Sequence, residues 1–339
     1  MRVRHARGEY EVRFCPLADA LADLGPAPWT ITDEKVAAAL APVLPEGGER
    51  IAVGPGERSK SLATYERCVR WLSDQGADRN ATIIALGGGV VGDLAGFVAA
   101  TYMRGVRLIQ IPTSLMAQVD SAIGGKVALD LQQGKNLIGS FHAPAEVRIA
   151  VEALATLEPR HFVNGMAEVL KYGFILEPHL VEVCLRDTLH AGHAELEAIV
   201  RRCVELKAHV VQEDEFEVAG TRAILNFGHT IGHAVEAATG YGPILHGEAV
   251  AIGMVVEAVL GERIGITELG VAAQVRIALE TYGLPTRLTG AAPSALIDAI
   301  RRDKKRRGGA LAFSLLTRIG ECKLVSDVPE SEVLGLMNG

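Results

Sequence analysis

The chain predicts an α/β nucleotide-binding domain over residues 1–157, followed by an all-α domain over residues 158–339. Three observations carry this reading. In the first half, short apolar runs alternate with helical patterns. One of those runs leads directly into Gly87-Gly-Gly-Val-Val-Gly92-Asp93. From Pro159 onward the periodicity is almost wholly helical. Strands separated by helices imply a parallel sheet, with ligands at the carboxyl ends of its strands.

The residues before Trp29 are undiagnostic. Trp29-Thr-Ile-Thr reads as a strand ending at Asp33, and Arg50-Ile-Ala-Val as another ending at Gly54-Pro-Gly56. Each is a short run rich in β-formers, bounded by turn residues. A helix follows over 61–75. Ala81-Thr-Ile-Ile-Ala-Leu86 is apolar almost throughout, as a strand covered on both faces requires. Arg107-Leu-Ile-Gln-Ile111 is the next strand, stopped by Pro112, which has no N–H to give a ladder. In the second half, helical spacing covers 163–176, 194–213, 231–238, 248–264 and 271–281. Late strand signals are confined to Ala312-Phe-Ser-Leu-Leu and Glu321-Cys-Lys-Leu-Val. There is no internal repeat, low-complexity tract or run of heptads.

Composition narrows the class. Hydrophobic residues make up 49% of the chain but aromatics only 5%, with 37 glycines, which suits an α/β enzyme better than an all-β binding module. A net charge of −7 argues against a nucleic-acid partner, because neutralising phosphates needs a basic surface. Cys15, Cys68, Cys184, Cys203 and Cys322 form no CxxC pair and read as reduced thiols of a cytoplasmic protein. The opening residues carry no signal-peptide pattern, and no apolar run is long enough to span a membrane, so no membrane partner is expected.

The densest chemistry lies in Asn226-Phe-Gly-His229-Thr-Ile-Gly-His233, followed by His246-Gly-Glu248 after the turn Gly240-Tyr-Gly-Pro243. His229 and His233 are four apart, so a helix puts them on one face, near enough to serve one metal ion. The same spacing also suits a plain polar face. Gly228, Gly232 and Gly247 are poor helix formers, and they make sense if backbone or ligand must come close.

Gly87-x-Gly89-x-x-Gly92 follows a strand and opens a helix, the setting of a Rossmann-like dinucleotide loop. There, backbone N–H groups at a positive helix end can receive a pyrophosphate. The acidic residue expected after the next strand to hold the ribose is missing; Asp33, Glu57 and Lys60 are available instead. Gly-Gly125-Lys126 and Gly134-Lys135-Asn136 set lysines beside glycines, as a phosphate cradle would, but Val127 excludes a Walker A loop. Glu168 and Lys171 share a helical face among apolar neighbours, which suggests partial burial of the pair. Arg301-Arg-Asp-Lys-Lys-Arg-Arg307, the basic cluster, reads on charge alone as a solvated helix end.

Taken together, Gly87-Gly-Gly-Val-Val-Gly-Asp-Leu-Ala-Gly-Phe97, Thr101-Tyr-Met-Arg-Gly105, Ile111-Pro-Thr-Ser114, Gln118-Val-Asp-Ser-Ala-Ile-Gly-Gly-Lys126, Gly134-Lys-Asn-Leu-Ile-Gly139, Ala167-Glu-Val-Leu-Lys-Tyr-Gly173, the histidine run and Leu245-His-Gly-Glu248 resemble the 3-dehydroquinate synthase family of sugar-phosphate cyclases. The likeness runs from about Ile31 to Ile319. It implies a Rossmann-like nucleotide-binding domain, a helical metal-binding domain, and an active site in the cleft between them. The implied reaction converts 3-deoxy-D-arabino-heptulosonate 7-phosphate into 3-dehydroquinate and phosphate, a step of the shikimate pathway. It would proceed by transient oxidation with NAD, phosphate elimination, return of the hydride, ring opening and aldol closure.

Carried over by position, the resemblance makes Glu168, His229 and His246 ligands of one divalent metal, Zn²⁺ or Co²⁺, and moves His233 to the substrate. It gives NAD to Asp33, Glu57, Lys60, Gly89, Val90, Val91, Gly92, Asp93, Thr113, Ser114 and Thr156, with Lys126 and Lys135 alongside. Lys126, Lys135, Asn136 and His233 would face phosphate or the developing enolate. Lys171, Lys207, Arg222 and Asn226 would hold hydroxyls and carboxylate, with Asp120 at the nicotinamide. Arg104 would reach the phosphate across a homodimer interface, and one of Lys304 and Lys305 would enter the site. The chain departs from the family at Val127 and Ser114, where threonines are usual; Ser114 keeps the hydroxyl and Val127 loses it. The alternatives are a sister cyclase of the amino-dehydroquinate or 2-deoxy-scyllo-inosose type, a metal-dependent polyol dehydrogenase, and a non-catalytic NAD-binding protein. Arg222, Lys304 and Lys305 favour a carboxylate-bearing substrate.

Overall fold

A computed structural model describes residues 1–25, 28–45, 48–240, 242–287, 293–306 and 311–337. In chain order its elements are β1 (Arg2–His5), β2 (Gly8–Phe14), α1 (Leu17–Ala20), β3 (Pro28–Asp33), α2 (Glu34–Leu40), β4 (Glu49–Val53), α3 (Leu62–Asp74), β5 (Thr82–Gly87), α4 (Gly89–Thr101) and β6 (Arg107–Pro112). Then come β7 (Lys126–Leu131), β8 (Gly134–Phe141), β9 (Glu146–Ile149), α5 (Pro159–Ile175), α6 (Pro178–Arg186) and α7 (Leu196–Glu213). The chain ends with α8 (His229–Ala238), α9 (His246–Arg263), α10 (Val271–Thr281), α11 (Pro293–Arg306), β10 (Phe313–Arg318), β11 (Glu321–Val325) and α12 (Glu330–Met337).

Two compact units result: Met1–Phe162 with His190–Phe216, and Val163–Leu189 with Glu217–Gly339. The first is built on a seven-stranded sheet in the order β1-β2-β9-β6-β5-β3-β4, parallel except for the β1–β2 hairpin. Strand β5 is buried at every position. Its side chains alternate: Ile83 and Ala85 join the core with Trp29, Ile31, Leu94 and Val98, while Ile84 and Leu86 join Ala20, Leu40, Ile109 and Ile111. Two covered faces explain why this strand reads as a continuous apolar run. On β7, Val127 is 3% exposed and packs in the first of those cores, so the family threonine replaced there falls at a core position.

The linear division near residue 157 differs from the one the contacts draw. Helix α7, expected in the second domain, belongs to the first unit. It packs against the wide helical turn Ala117–Ser121 and against β1. Lys207 Nζ donates to Asp120 O at 2.6 Å and pairs with Asp120 Oδ1 at 2.8 Å, while Gln212 Oε1 accepts from Arg4 N at 3.0 Å. Helical periodicity names an element but not the surface that takes its apolar face.

Two hairpins lie outside the sequence expectation. β1–β2 extends the sheet through the parallel pairing of β2 with β9. β7–β8 folds the Lys126 and Lys135 segments, read from sequence as lysines beside glycines in a phosphate cradle, into an antiparallel pair. Asp130 N donates to Lys60 O at 2.8 Å and ties that hairpin to the loop after β4.

In the second unit, α8 and α9 form the closest helix pair. A Cβ built on Gly253 of α9 would run into Gly228 O and stand 2.8 Å from Gly232 N, so only glycine lets the two backbones meet there. Ile231, Val235, Ile252, Leu260, Leu296, Phe313 and Leu315 form its core, with the β10–β11 hairpin at one side. No described helix is long and apolar enough to cross a membrane.

In the first unit, Gly96 on α4 faces Val127 so closely that an added Cβ would lie 3.1 Å from the valine Cβ. Gly96→Val should lower unfolding free energy by about 1–3 kcal/mol through overpacking, read as a lower urea midpoint; an unchanged midpoint would contradict this packing.

Candidate active site

Because β3, β4, β5 and β6 run parallel, their carboxyl ends share one edge of the sheet. That edge collects Asp33 at the end of β3, the Glu57–Lys60 loop after β4, the glycine loop after β5, and Thr113 and Ser114 after β6. From β3 the chain moves outward to β4, and from β5 it moves outward to β6 in the opposite direction, so β3 and β5 flank the switch point at which open α/β sheets bind ligands. Helix α4 starts with Gly88 at its N-cap and no side chain capping its first turn. A Cβ on Gly88 would come 3.2 Å from Ser114 Oγ, and one on Gly89 would come 3.0 Å from Ser121 Oγ. The glycines therefore keep a side-chain-free approach to a helix N-terminus, and Val90, Val91 and Gly92 complete that first turn. Asp33 also caps α2, its Oδ1 accepting from Lys35 N at 2.9 Å and Val36 N at 3.0 Å. Thr113 N donates to Gly87 O at 3.0 Å.

Lys60 is the electrostatic centre of this edge. It is 4% exposed, and its Nζ lies 2.5 Å from Asp93 Oδ2 and 3.9 Å from both Glu57 Oε1 and Asp130 Oδ1. It also donates to Asn136 Oδ1. Burial by itself would lower the Lys60 pKa, but the surrounding carboxylates outweigh it and hold the ammonium above its usual value. Burial raises Asp93 against the pull of Lys60. Asp130 is pushed up to about 6, again mainly by burial, with Lys60 and the Asn136 N–H opposing. Lys135 Nζ reaches Glu57 Oε1 at 3.5 Å, and Asn136 adopts φ +55° while donating its N–H to Asp130 Oδ1 at 2.8 Å. Asp130 was not among the sequence candidates, because nothing in its strand marks it as polar machinery. Lys126 stands exposed at the start of β7. Arg104 is exposed with φ +68°, and Thr156 is exposed with its hydroxyl donating to Ala153 O at 2.8 Å.

The second unit assembles the other group. Glu168 comes from α5, His229 is the first residue of α8, and His246 is the first residue of α9. One potential ligand atom from each lies within 4.8 Å of the others, and His229 Nε2 is 3.6 Å from Glu168 Oε1. Glu168 is 1% exposed and ion-pairs with Lys171, also 1% exposed, yet neither of its oxygens accepts a hydrogen bond of good geometry. So deep a carboxylate calls for more than one ammonium partner. Two imidazoles and a carboxylate are a donor set that fits Zn²⁺ or Co²⁺. His233 packs its ring 5.4 Å from that of His229 and 5.9 Å from that of His246. It also forms a second compact donor group with Glu236 and His246.

Buried polar side chains hold these helices in place. Glu257 of α9, fully buried, accepts from Gly228 N at 2.7 Å and Ile231 N at 3.1 Å, clamping the start of α8. Asn164 Oδ1 accepts from Gly247 N at 2.7 Å, joining α5 to the start of α9. Arg222 is 3% exposed on the turn Thr221–Asn226, and Asn226 Nδ2 donates to Glu217 Oε1 at 2.7 Å. Lys304 and Lys305 belong to the backbone of α11, and their side chains lie outside the described residues. Glu236, Glu257 and Asn164 were absent from the sequence candidates; only Glu236 carried a signal, three positions after His233 on the same helix.

Between about pH 4 and 6, folded Asp130 keeps a proton that its unfolded counterpart has released, so its contribution to stability falls as pH rises through that window. Asp130→Asn should flatten the decline in urea midpoint from pH 4 to 7; an unaltered pH profile would contradict the assignment.

A family model described as "3-dehydroquinate synthase N-terminal" matches residues 50–164, and one described as "3-dehydroquinate synthase C-terminal" matches residues 165–306. A curated 3-dehydroquinate synthase of Opitutus terrae is 45% identical over 306 residues, covering 88% of this chain and 84% of that protein. Among solved structures, a 2-epi-5-epi-valiolone synthase from Streptomyces hygroscopicus with NAD⁺ and Zn²⁺ bound superposes with a TM-score of 0.87 at 27% identity, covering 97% of this chain and 96% of that one. A 2-deoxy-scyllo-inosose synthase complexed with carbaglucose-6-phosphate, NAD⁺ and Co²⁺ superposes with a TM-score of 0.86 at 26% identity, covering 99% and 98%. With both halves matched by one family's models and a 45% identical relative spanning most of its length, the chain belongs to the 3-dehydroquinate synthase family.

Proposed function

We propose that the chain converts 3-deoxy-D-arabino-heptulosonate 7-phosphate into 3-dehydroquinate and phosphate, using NAD and one divalent ion. The observation that carries this reading is the convergence of Glu168, His229 and His246, with ligand atoms within 4.8 Å of one another. The NAD⁺ with Zn²⁺ or Co²⁺ in the two related cyclases supports it. Bound there, the ion would supply Lewis-acid polarisation of a substrate hydroxyl, while NAD takes up and returns a hydride.

The chain's own residues divide the remaining work. Glu168, His229 and His246 hold the ion. Asp33, Glu57, Lys60, Asp93, Thr113, Ser114 and the turn Gly89 to Gly92 hold NAD, with Glu57 and Lys60 supplying the polar contacts that the loop after β6 lacks. Lys171, ion-paired with Glu168, offers its remaining N–H donors to a hydroxyl near the ion. Arg222 and Asn226 take the carboxylate and a neighbouring hydroxyl. Asp120 and Lys207, paired at 2.8 Å, orient the oxidised carbon. Lys126, Lys135, Asn136 and His233 are the residues assigned to the phosphate and to the charge that grows as it leaves. On this reading the enzyme is a cytoplasmic homodimer, with the exposed Arg104 available to its neighbour's phosphate.

A sister cyclase acting on a substrate without a carboxylate has less use for Arg222. The 45% identity to a curated 3-dehydroquinate synthase, against 26–27% to the two other cyclases, favours the heptulosonate.

Protein supplied with NAD and Co²⁺ should release inorganic phosphate from the heptulosonate phosphate, stop after chelator, and build up no net NADH. Absence of phosphate release from the metal-loaded protein would sink the reading, and steady NADH accumulation would point to a polyol dehydrogenase. Glu168→Ala should abolish stoichiometric metal binding and reduce turnover to background. It also strips a buried ammonium of its carboxylate, at a cost of about 3–5 kcal/mol, so Glu168→Gln is the companion. Full metal occupancy in a folded Gln variant would refute the ligand role.

A further inference from the structure

We infer that Glu236 is a positioning residue for His246: it accepts the Nδ1–H of that ring and so presents Nε2 to the ion. The inference rests on the metal-binding reading of Glu168, His229 and His246.

Glu236 Oε2 lies 3.2 Å from His246 Nδ1. Glu236 is 2% exposed on α8, whereas the His246 side chain is 31% exposed at the opening of α9. The ring therefore sits at a helix start, partly open to solvent, where rotating the ring would exchange its two nitrogens. A buried carboxylate on the adjacent helix opposes that rotation. A neutral imidazole has one donor and one acceptor nitrogen, so engaging Nδ1–H with a carboxylate fixes the tautomer and leaves the Nε2 lone pair for a ligand. The negative partner also makes the imidazole a better donor to a cation, and outer partners of this kind are commonly worth 10–100-fold in metal affinity.

The two acidic residues beside His246 differ in a way that assigns their roles. Glu168 accepts no well-formed hydrogen bond at either oxygen, as a carboxylate reserved for an ion would. Glu236 already holds a ring nitrogen at hydrogen-bond distance. His233, Glu236 and His246 also stand close enough to form a ligand group by themselves. In that competing arrangement, Glu236 would bind the ion directly.

The test titrates metal-free protein with Co²⁺ against a competing chelator and records the visible ligand-field spectrum of the wild type, Glu236→Leu and Glu236→Gln. Circular dichroism checks the fold of each. Glu236→Leu should bind Co²⁺ about 10–100-fold more weakly while keeping the wild-type band pattern, because all three ligands remain. Glu236→Gln, whose amide oxygen can still accept the Nδ1–H, should lose less. Wild-type affinity in a folded Leu variant would overturn the inference. So would a spectrum reporting a lost ligand in the Glu236 variants but not in Glu168→Gln. If the Leu variant does not fold, Glu236→Ala decides: weakened binding with the wild-type band pattern supports the role, and unchanged affinity overturns it. Failure of the wild type to bind Co²⁺ would instead remove the metal reading itself, and the inference with it.

Discussion

The buried Glu168 carboxylate is the constraint around which the second unit is organised. At 1% exposure it has lost its hydration, and a lone ammonium from Lys171 does not satisfy both oxygens. His229 and His246 come beside it from two other helices, with one potential ligand atom of each within 4.8 Å. Their approach depends on how closely α8 and α9 pack, which in turn requires glycine at 253, where a Cβ would stand 2.8 Å from Gly232 N. Glu257 and Asn164 then lock the helix starts in register through backbone N–H groups. The helices converge on that charge because small residues and buried caps permit it.

The first unit solves a different problem by the same means. Parallel strands deliver several polar loops to one edge, which gathers acidic residues around a single buried lysine. Lys60 stays charged because Asp93, Glu57 and Asp130 together outweigh its burial. The β7–β8 hairpin contributes Asp130 and Asn136 to that cluster, so a segment read from sequence as a phosphate cradle completes an electrostatic centre.

Much of the fold was legible in the chain. β3, β5 and β6 announced themselves as short apolar runs ended by Asp, Gly or Pro, and the long helices by their spacing. The β1–β2 hairpin was not, since its few inward residues are spaced by charged ones and its partner β9 lies far along the chain. The allegiance of α7 was equally hidden: its apolar stripe is the same whichever surface covers it, and the partner that fixes it, Asp120, lies in a turn. Among the candidate residues, Glu168, His229 and His246 come together, and the positions from Asp33 to Ser114 that were expected to hold NAD share the carboxyl edge of the sheet. Glu236, Glu257, Asn164 and Asp130 escaped because each is an ordinary polar residue within a regular element.

By itself the sequence determined the chemistry available and the local elements that carry it: glycines where backbone must be bare, histidines and carboxylates with lone pairs to give, and the periods that make helix or strand. Only the tertiary structure decided the partnerships. HxxxH spacing by itself suggested that His229 and His233 serve one ion, and the family resemblance exchanged His233 for His246; packing then brings Glu168, His229 and His246 into one compact group, while His233 forms a second with Glu236 and His246. Spacing along a helix constrains only neighbours on that helix. Which group faces a buried charge is set by packing between elements far apart in sequence, where a close backbone approach and a buried hydrogen bond outweigh local proximity.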